Sequence, residues 1–121
     1  MNHITVQYAV PNDPERFDHR QRRQLPMYRL TVVYDEPADQ QAFDRRYTDE
    51  HVPLVKASPG LVSFQLSHPQ GGTPYLVAEL FWHSEDAFKA WAATPERAEV
   101  RNHAEGCGTT FTTYTGDVAE V

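Results

Sequence analysis

The histidine at position 51 is the residue of this chain best placed by its neighbours to move a proton. It stands in Tyr47-Thr48-Asp49-Glu50-His51-Val52-Pro53-Leu54, where Phe43, Tyr47, His51 and Leu54 recur at steps of four, four and three. On a helix those steps put all four side chains on one face, so the imidazole points inward beside two aromatic rings. Pro53 has no N–H to give and disfavours helical backbone at Val52, which predicts that the helix stops or bends just after the histidine. From sequence alone an imidazole at such an end has two readings. It is either a hydrogen-bonded core residue, or a group whose surroundings tune its proton affinity for chemistry near neutral pH.

Glu79 is the second candidate. In Tyr75-Leu76-Val77-Ala78-Glu79-Leu80-Phe81-Trp82 it falls between Val77 and Phe81 on one row of an alternating strand. A carboxyl desolvated there has a raised pKa suited to general acid–base work. The plainer reading is an ion pair with Arg29, on the strand expected alongside. Tyr47, Phe64, Tyr75, Phe81, Tyr114 and Arg29 complete the expected binding set, the rings giving shape and the Tyr75 and Tyr114 hydroxyls available to a carbonyl or phenolate. His68 and His83 end the two hairpin strands and read as polar termini. No His-x-x-x-His spacing and no pair of cysteines occurs, so neither a metal nor another cofactor is expected. Gly71-Gly72 sits inside a hairpin rather than at a strand-to-helix turn, which gives nucleotide binding no support. Cys107 has no base fixed beside it in sequence and is a weak candidate nucleophile.

The elements that must position these groups are legible from Met27 onward. Tyr28 to Tyr34 is β-rich and closed by Asp35-Glu36-Pro37. Asp39 can cap the following helix, which carries Phe43 and ends at the histidine stretch. Pro59-Gly60 turns the chain into a strand from Leu61 to His68, and the loop Pro69 to Pro74 reverses it into Tyr75 to Trp82. Ser84 with Glu85-Asp86 starts another helix, with Phe88, Trp91 and Ala92 as its inner face. Thr94-Pro95 restarts a second helical piece toward Gly106. A threonine-rich strand, Thr109 to Val118, closes the chain. The order β-α-β-β-α-β is that of an α+β ferredoxin-like fold, with both helices on one face of an antiparallel sheet. Leu76, Ala78, Leu80 and Trp82 make the row for the helices, leaving Tyr75, Val77, Glu79, Phe81 and His83 opposite. That half-aromatic row invites a second sheet.

Composition narrows the class. A chain of 121 residues, 40% hydrophobic, supports one core rather than two. A net charge of −6 disfavours nucleic acid as a partner, and the arginines at 16, 20, 22, 23 and 29 read as a solvated helix face. One cysteine excludes an intrachain disulfide and fits a reducing compartment, and no apolar run is long enough to span a membrane, so a cytoplasmic protein is expected. Residues 1–26 hold a partial repeat of the segment 27–46. Shifted by 26 positions, eight of the seventeen residues from 4 to 20 are identical, among them Thr5-Val6, Tyr8, Pro11 and Phe17-Asp18. This predicts an extra strand from Ile4 to Val10 and a short return from Pro14 to Arg23, ahead of a domain spanning 27–121. A start at Met27, the head of the better copy, is the other reading.

The chain resembles the EthD-domain proteins of the dimeric α+β barrel superfamily. The resemblance runs from about Met27 to Val118 and rests on the Tyr28-to-Tyr34 strand, Tyr47-x-x-x-His51-x-Pro53-Leu54, Pro59-Gly60-Leu61, Pro74-Tyr75, Ala78-Glu79-Leu80-Phe81, Ser84-Glu85-Asp86-Ala87-Phe88 and Thr94-Pro95-Glu96. It implies a homodimer whose sheets face each other across a small-molecule cavity, and oxidoreductase chemistry on aromatic or ether compounds. Where that family has an aspartate followed shortly by Asn-Phe, this chain has Asn102-His103-Ala104-Glu105-Gly106-Cys107. Two functions stand open. One is a metal- and nucleotide-free enzyme in which His51 and Glu79 exchange protons with an aromatic, ketonic or ether substrate held among Phe64, Tyr75, Phe81 and Tyr114. The other is a noncatalytic protein that binds a small molecule in the same cavity.

Overall fold

Alternation of apolar and polar residues becomes a five-stranded sheet in the computed structural model, which describes residues 4–8 and 27–121. Its strands are β1 (Ile4–Tyr8), β2 (Met27–Tyr34), β3 (Ser63–His68), β4 (Leu76–Trp82) and β5 (Phe111–Val118). They pair antiparallel in the order β1-β3-β4-β2-β5. Helices α1 (Gln40–Arg46), α2 (Val52–Lys56), α3 (Glu85–Ala92) and α4 (Pro95–Glu105) cover one face, with a π-helical turn, Tyr47–His51, joining α1 to α2. From β2 onward this is the ferredoxin-like βαββαβ fold. Of the strand expected from Ile4 to Val10, residues 4–8 are present as β1, which adds to the β3 edge with Val6 opposite Leu66, and residues 9 and 10 lie outside the described residues. The expected return from Pro14 to Arg23 lies outside the described residues.

Burial follows the pleat. Leu76, Ala78, Leu80 and Trp82 are each no more than 3% exposed, and Val77, Glu79 and Phe81 between them are half-buried. The helices start where capping chemistry satisfies their free N–H groups. The Asp39 carboxylate accepts from the Ala42 N–H, Ser84 Oγ from Ala87 and Thr94 Oγ1 from Arg97. Trp82 packs on Phe88 and Trp91 from α3, and Tyr34 on Phe43 and Tyr47, which fixes the helix layer over β4 and β2.

Two local expectations are corrected. The helix does not stop after His51: Val52 keeps helical angles (φ −54°, ψ −47°), and the run continues to Lys56. The chain absorbs Pro53 by widening the preceding turn, so that the Val52 N–H bonds to the carbonyl of Tyr47. The wider turn also shifts the inner face, and Val55, 2% exposed, takes the inward position while Leu54 is half-buried. Tyr75, in turn, precedes β4 and does not follow its alternation. Its ring packs edge-on against Phe43 and its hydroxyl donates to Asp44 at 2.8 Å, which ties it to α1 on the helix side.

Candidate active site

A cavity of about 110 Å³ lies between the sheet and the helix layer. Its floor is the inward row of the sheet, including Leu30, Val32 and Leu80, and its roof comes from Tyr47, His51, Trp91 and the two arginines of α4, Arg97 and Arg101. Thr113 and Thr115 line it too, and both are exposed, so the cavity opens beside the edge strand β5. The Arg101 guanidinium sits 5.7 Å over the Phe111 ring at this mouth and is held by Glu105 at 3.2 Å.

His51 is 3% exposed and is delivered to the cavity by the π-helical turn. Its ring lies 4.8 Å from that of Tyr47 and stacks on that of His103, 5.1 Å away at 24°. The two imidazoles meet Nδ1 to Nδ1 at 3.0 Å, and the far nitrogen of His103, Nε2, lies 3.1 Å from Glu50 Oε1. The tautomers follow from this network. An ionised carboxylate only accepts, so His103 carries its proton on Nε2 and donates it to Glu50. With both rings neutral, His103 Nδ1 is then a lone pair, and His51 Nδ1–H donates to it. The remaining nitrogen of His51, Nε2, is left as the acceptor. Cys107 completes the cluster, with Sγ 3.5 Å from His103 Nδ1.

Electrostatics agree with a neutral His51. Burial, and secondarily the neighbouring His103 charge, push it from an ordinary 6.5 down to about 4, so at neutral pH it is a free base. Burial pushes the Cys107 thiol up, against the pull of Arg46 and with the help of Glu50. Tyr34 is also raised, by burial first and then by Cys107, while its hydrogen bond to Tyr47 opposes the shift. Glu50 faces solvent and is flanked by Arg46 at 3.9 Å, so the chain His51–His103–Glu50 runs from the cavity to the surface.

The residues expected to form one site fall in three places. Tyr47 and His51 line the cavity. Phe64 is fully buried in the core, paired across the strands with Leu80, and Tyr75 is engaged with Asp44. Arg29, Glu79, Phe81 and Tyr114 belong to the opposite face of the sheet, where Thr31 faces both Glu79 and Tyr114 in the register. There Arg29 Nη1 lies 3.9 Å from Glu79 Oε2. Within one chain, His51 and Glu79 are therefore separated by the sheet. Glu50 and His103 had no place in the expected set. The available signal was the four-residue spacing of His103 and Cys107, which puts a helix-terminal histidine and the residue past the Gly106 cap on one side.

Residues 27–103 match the antibiotic biosynthesis monooxygenase family. The chain belongs to that family. Among its relatives is an uncharacterised 11.0 kDa protein from the thcB-thcC intergenic region of Rhodococcus erythropolis, 38% identical over 89 residues, covering 66% of this chain and 86% of that protein. A mycobilin-producing heme oxygenase of Mycobacterium tuberculosis is 27% identical over 79 residues, covering 65% of this chain and 74% of the enzyme. Among solved structures, an ethyl tert-butyl ether degradation (EthD) family protein from Bacillus halodurans superposes with a TM-score of 0.64 at 26% identity, over 73% of this chain and 96% of that one. SnoaB, a cofactor-independent oxygenase from Streptomyces nogalater, gives 0.63 at 16% identity over 78% and 95%, a likeness of fold. Among the described residues no helix is long and apolar enough to cross a membrane.

Proposed function

We propose that this chain is an EthD-like small-molecule oxidoreductase in which His51 takes a proton from a substrate held under the helix layer. The observation that carries the reading is the His51–His103–Glu50 chain at a cavity wall, which with both rings neutral gives the buried His51 imidazole a free acceptor nitrogen. His103 and Glu50 are positioning residues. They fix the tautomer and stabilise the imidazolium that forms, as an orienting acid does for the base of a catalytic triad. A cavity of about 110 Å³ takes a group of roughly benzene size, an aromatic ring or a branched ether or ketone. Arg97 and Arg101 favour a substrate that is, or becomes, anionic at oxygen. Removing a proton from a phenol, or from carbon beside a ketone, gives an electron-rich anion. Such an anion can pass electrons to dioxygen, so the oxidation needs no group from the chain beyond the base and the cationic wall.

The EthD character of the reading draws on the Tyr47-x-x-x-His51-x-Pro53-Leu54 stretch and on the likeness to the Bacillus halodurans protein. Dimerisation belongs to the same proposal. Val33, Val77 and Phe81 are half-buried and Tyr114 is 57% exposed on the sheet's other face, an apolar surface suited to a second copy of the chain. The deciding experiment follows dioxygen uptake by the purified protein with a panel of single-ring phenols and aryl ketones. Uptake abolished in His51→Gln with an unchanged melting temperature supports the enzyme. Saturable binding of the same compounds with no uptake in any of them supports a noncatalytic binder.

A further inference from the structure

We propose that His51, His103 and Cys107 form a binding site for a divalent transition-metal ion of the zinc type. One ligand atom from each lies within 4.8 Å of the others. His103 Nδ1 is the hub, 3.0 Å from His51 Nδ1 and 3.5 Å from Cys107 Sγ. A tetrahedral ion with nitrogen at about 2.0 Å and sulfur at about 2.3 Å holds such pairs roughly 3.3 and 3.5 Å apart, so these two pairs already stand near coordination spacing and the third, His51 to Cys107, lies within 4.8 Å. Two imidazoles and a thiolate are ligands of the borderline-soft kind that zinc and its neighbours take. Three protein ligands leave a fourth position for water or another small ligand.

With neutral rings, one His103 Nδ1 lone pair stands opposite two groups that can each carry a proton, His51 Nδ1 at 3.0 Å and Cys107 Sγ at 3.5 Å. A cation in place of those two protons would meet a lone pair from each residue. The outer contact has the form that supports a metal: His103 gives its other N–H to Glu50 at 3.1 Å, a carboxylate–histidine pair of the type that orients a ligand ring. The frame is fixed, because His103 lies in the last turn of α4 and the Gly106 and Cys107 N–H groups bond back to Asn102, His103 and Ala104. An entry path exists as well. Cys107 and Glu50 line an outer depression of about 460 Å³ with Arg46 and Asp49, on the far side of the cluster from the inner cavity.

The ion would change what His51 does. On Nδ1 it replaces the proton that now bonds to His103, and a neutral ring then carries its proton on Nε2. The cavity nitrogen turns from acceptor to donor, so the loaded protein no longer abstracts a proton through His51. This consequence rests on the function proposed above, whereas the site itself does not.

The test titrates the full chain, stripped with chelator under reducing conditions, with Co²⁺ followed by absorption and then with Zn²⁺ in competition. One Co²⁺ per chain is expected, with a thiolate-to-cobalt charge-transfer band and the visible bands of a tetrahedral ion, both displaced by Zn²⁺. Cys107→Ser should lose the charge-transfer band, His51→Gln and His103→Gln the tetrahedral bands, and Glu50→Gln should weaken binding roughly 10- to 100-fold. Circular dichroism identifies any variant that fails to fold, and Glu50→Gln, altered on an exposed side chain, then decides. No saturable band in the parent protein, or the same spectrum and affinity in Glu50→Gln and Cys107→Ser, would overturn the site. No substrate enters this titration. Failure of cobalt binding leaves the proton-transfer reading standing, and failure of the dioxygen assay leaves the metal site standing.

Discussion

The two faces of the sheet carry different chemistry although they share the same strands. On the helix-covered face the inward row of β4 is no more than 3% exposed, His51 is buried, and burial holds it neutral. On the other face a carboxylate and a guanidinium, each about a third exposed, sit 3.9 Å apart as an ion pair. The same alternation produces both faces. What separates them is the layer above, because excluding water disfavours the charged form of a group. The histidine is roofed by helices, whereas the glutamate stands beside an arginine on a half-open face.

Substitutions can break this contrast, and the largest effect belongs to the base. His51→Gln should lower turnover by about two to four orders of magnitude, the range for a general base, while Glu79→Gln should lower it less than tenfold. Equal losses would mean that the two faces act together. Next comes packing. Phe43→Ala, at 2% exposure, should cost about 3 to 5 kcal/mol in denaturant unfolding, against less than half of that for Phe81→Ala measured on the monomer.

Acid should separate the faces further, in metal-free protein. His51 titrates near 4 when folded and near 6.5 when unfolded, so below about 6.5 the unfolded chain takes up a proton that the folded chain refuses. Stability from this residue is complete above that pH, falls as pH drops toward 4, and totals about 3 kcal/mol. Urea unfolding at a series of pH values checks it, and His51→Gln should flatten the slope in that window. The smallest effect is expected for Glu79→Gln on stability, under about 1 kcal/mol, because a partly exposed pair at 3.9 Å is screened by water.

Much of the fold was written locally. Alternation from Leu76 to Trp82 marked both faces, Asp39 and Ser84 cap the helix starts expected of them, and Thr94-Pro95 marked a third start that Thr94 caps. Tyr75 was misplaced because alternation was carried one residue past the start of the strand, where the chain is still turning. The Pro53 effect was misjudged because a helix can widen by one residue instead of ending. The site was half legible. His51 could be found from its helical face, but its partners stand 52 residues away along the chain for His103 and still further for Cys107. Only the docking of the end of α4 against the π-helical turn brings them together, and no local pattern encodes that approach.

The most direct measurement of the central claim is the nitrogen-15 spectrum of the His51 ring in metal-free protein at neutral pH, recorded while a single-ring phenol is added. A protonated Nδ1 and a bare Nε2 are expected in the free protein, with Nε2 shifting as the phenol binds. A protonated Nε2 that ignores the phenol, while Phe81 and Tyr114 respond to it, would contradict the account and move the chemistry to the other face.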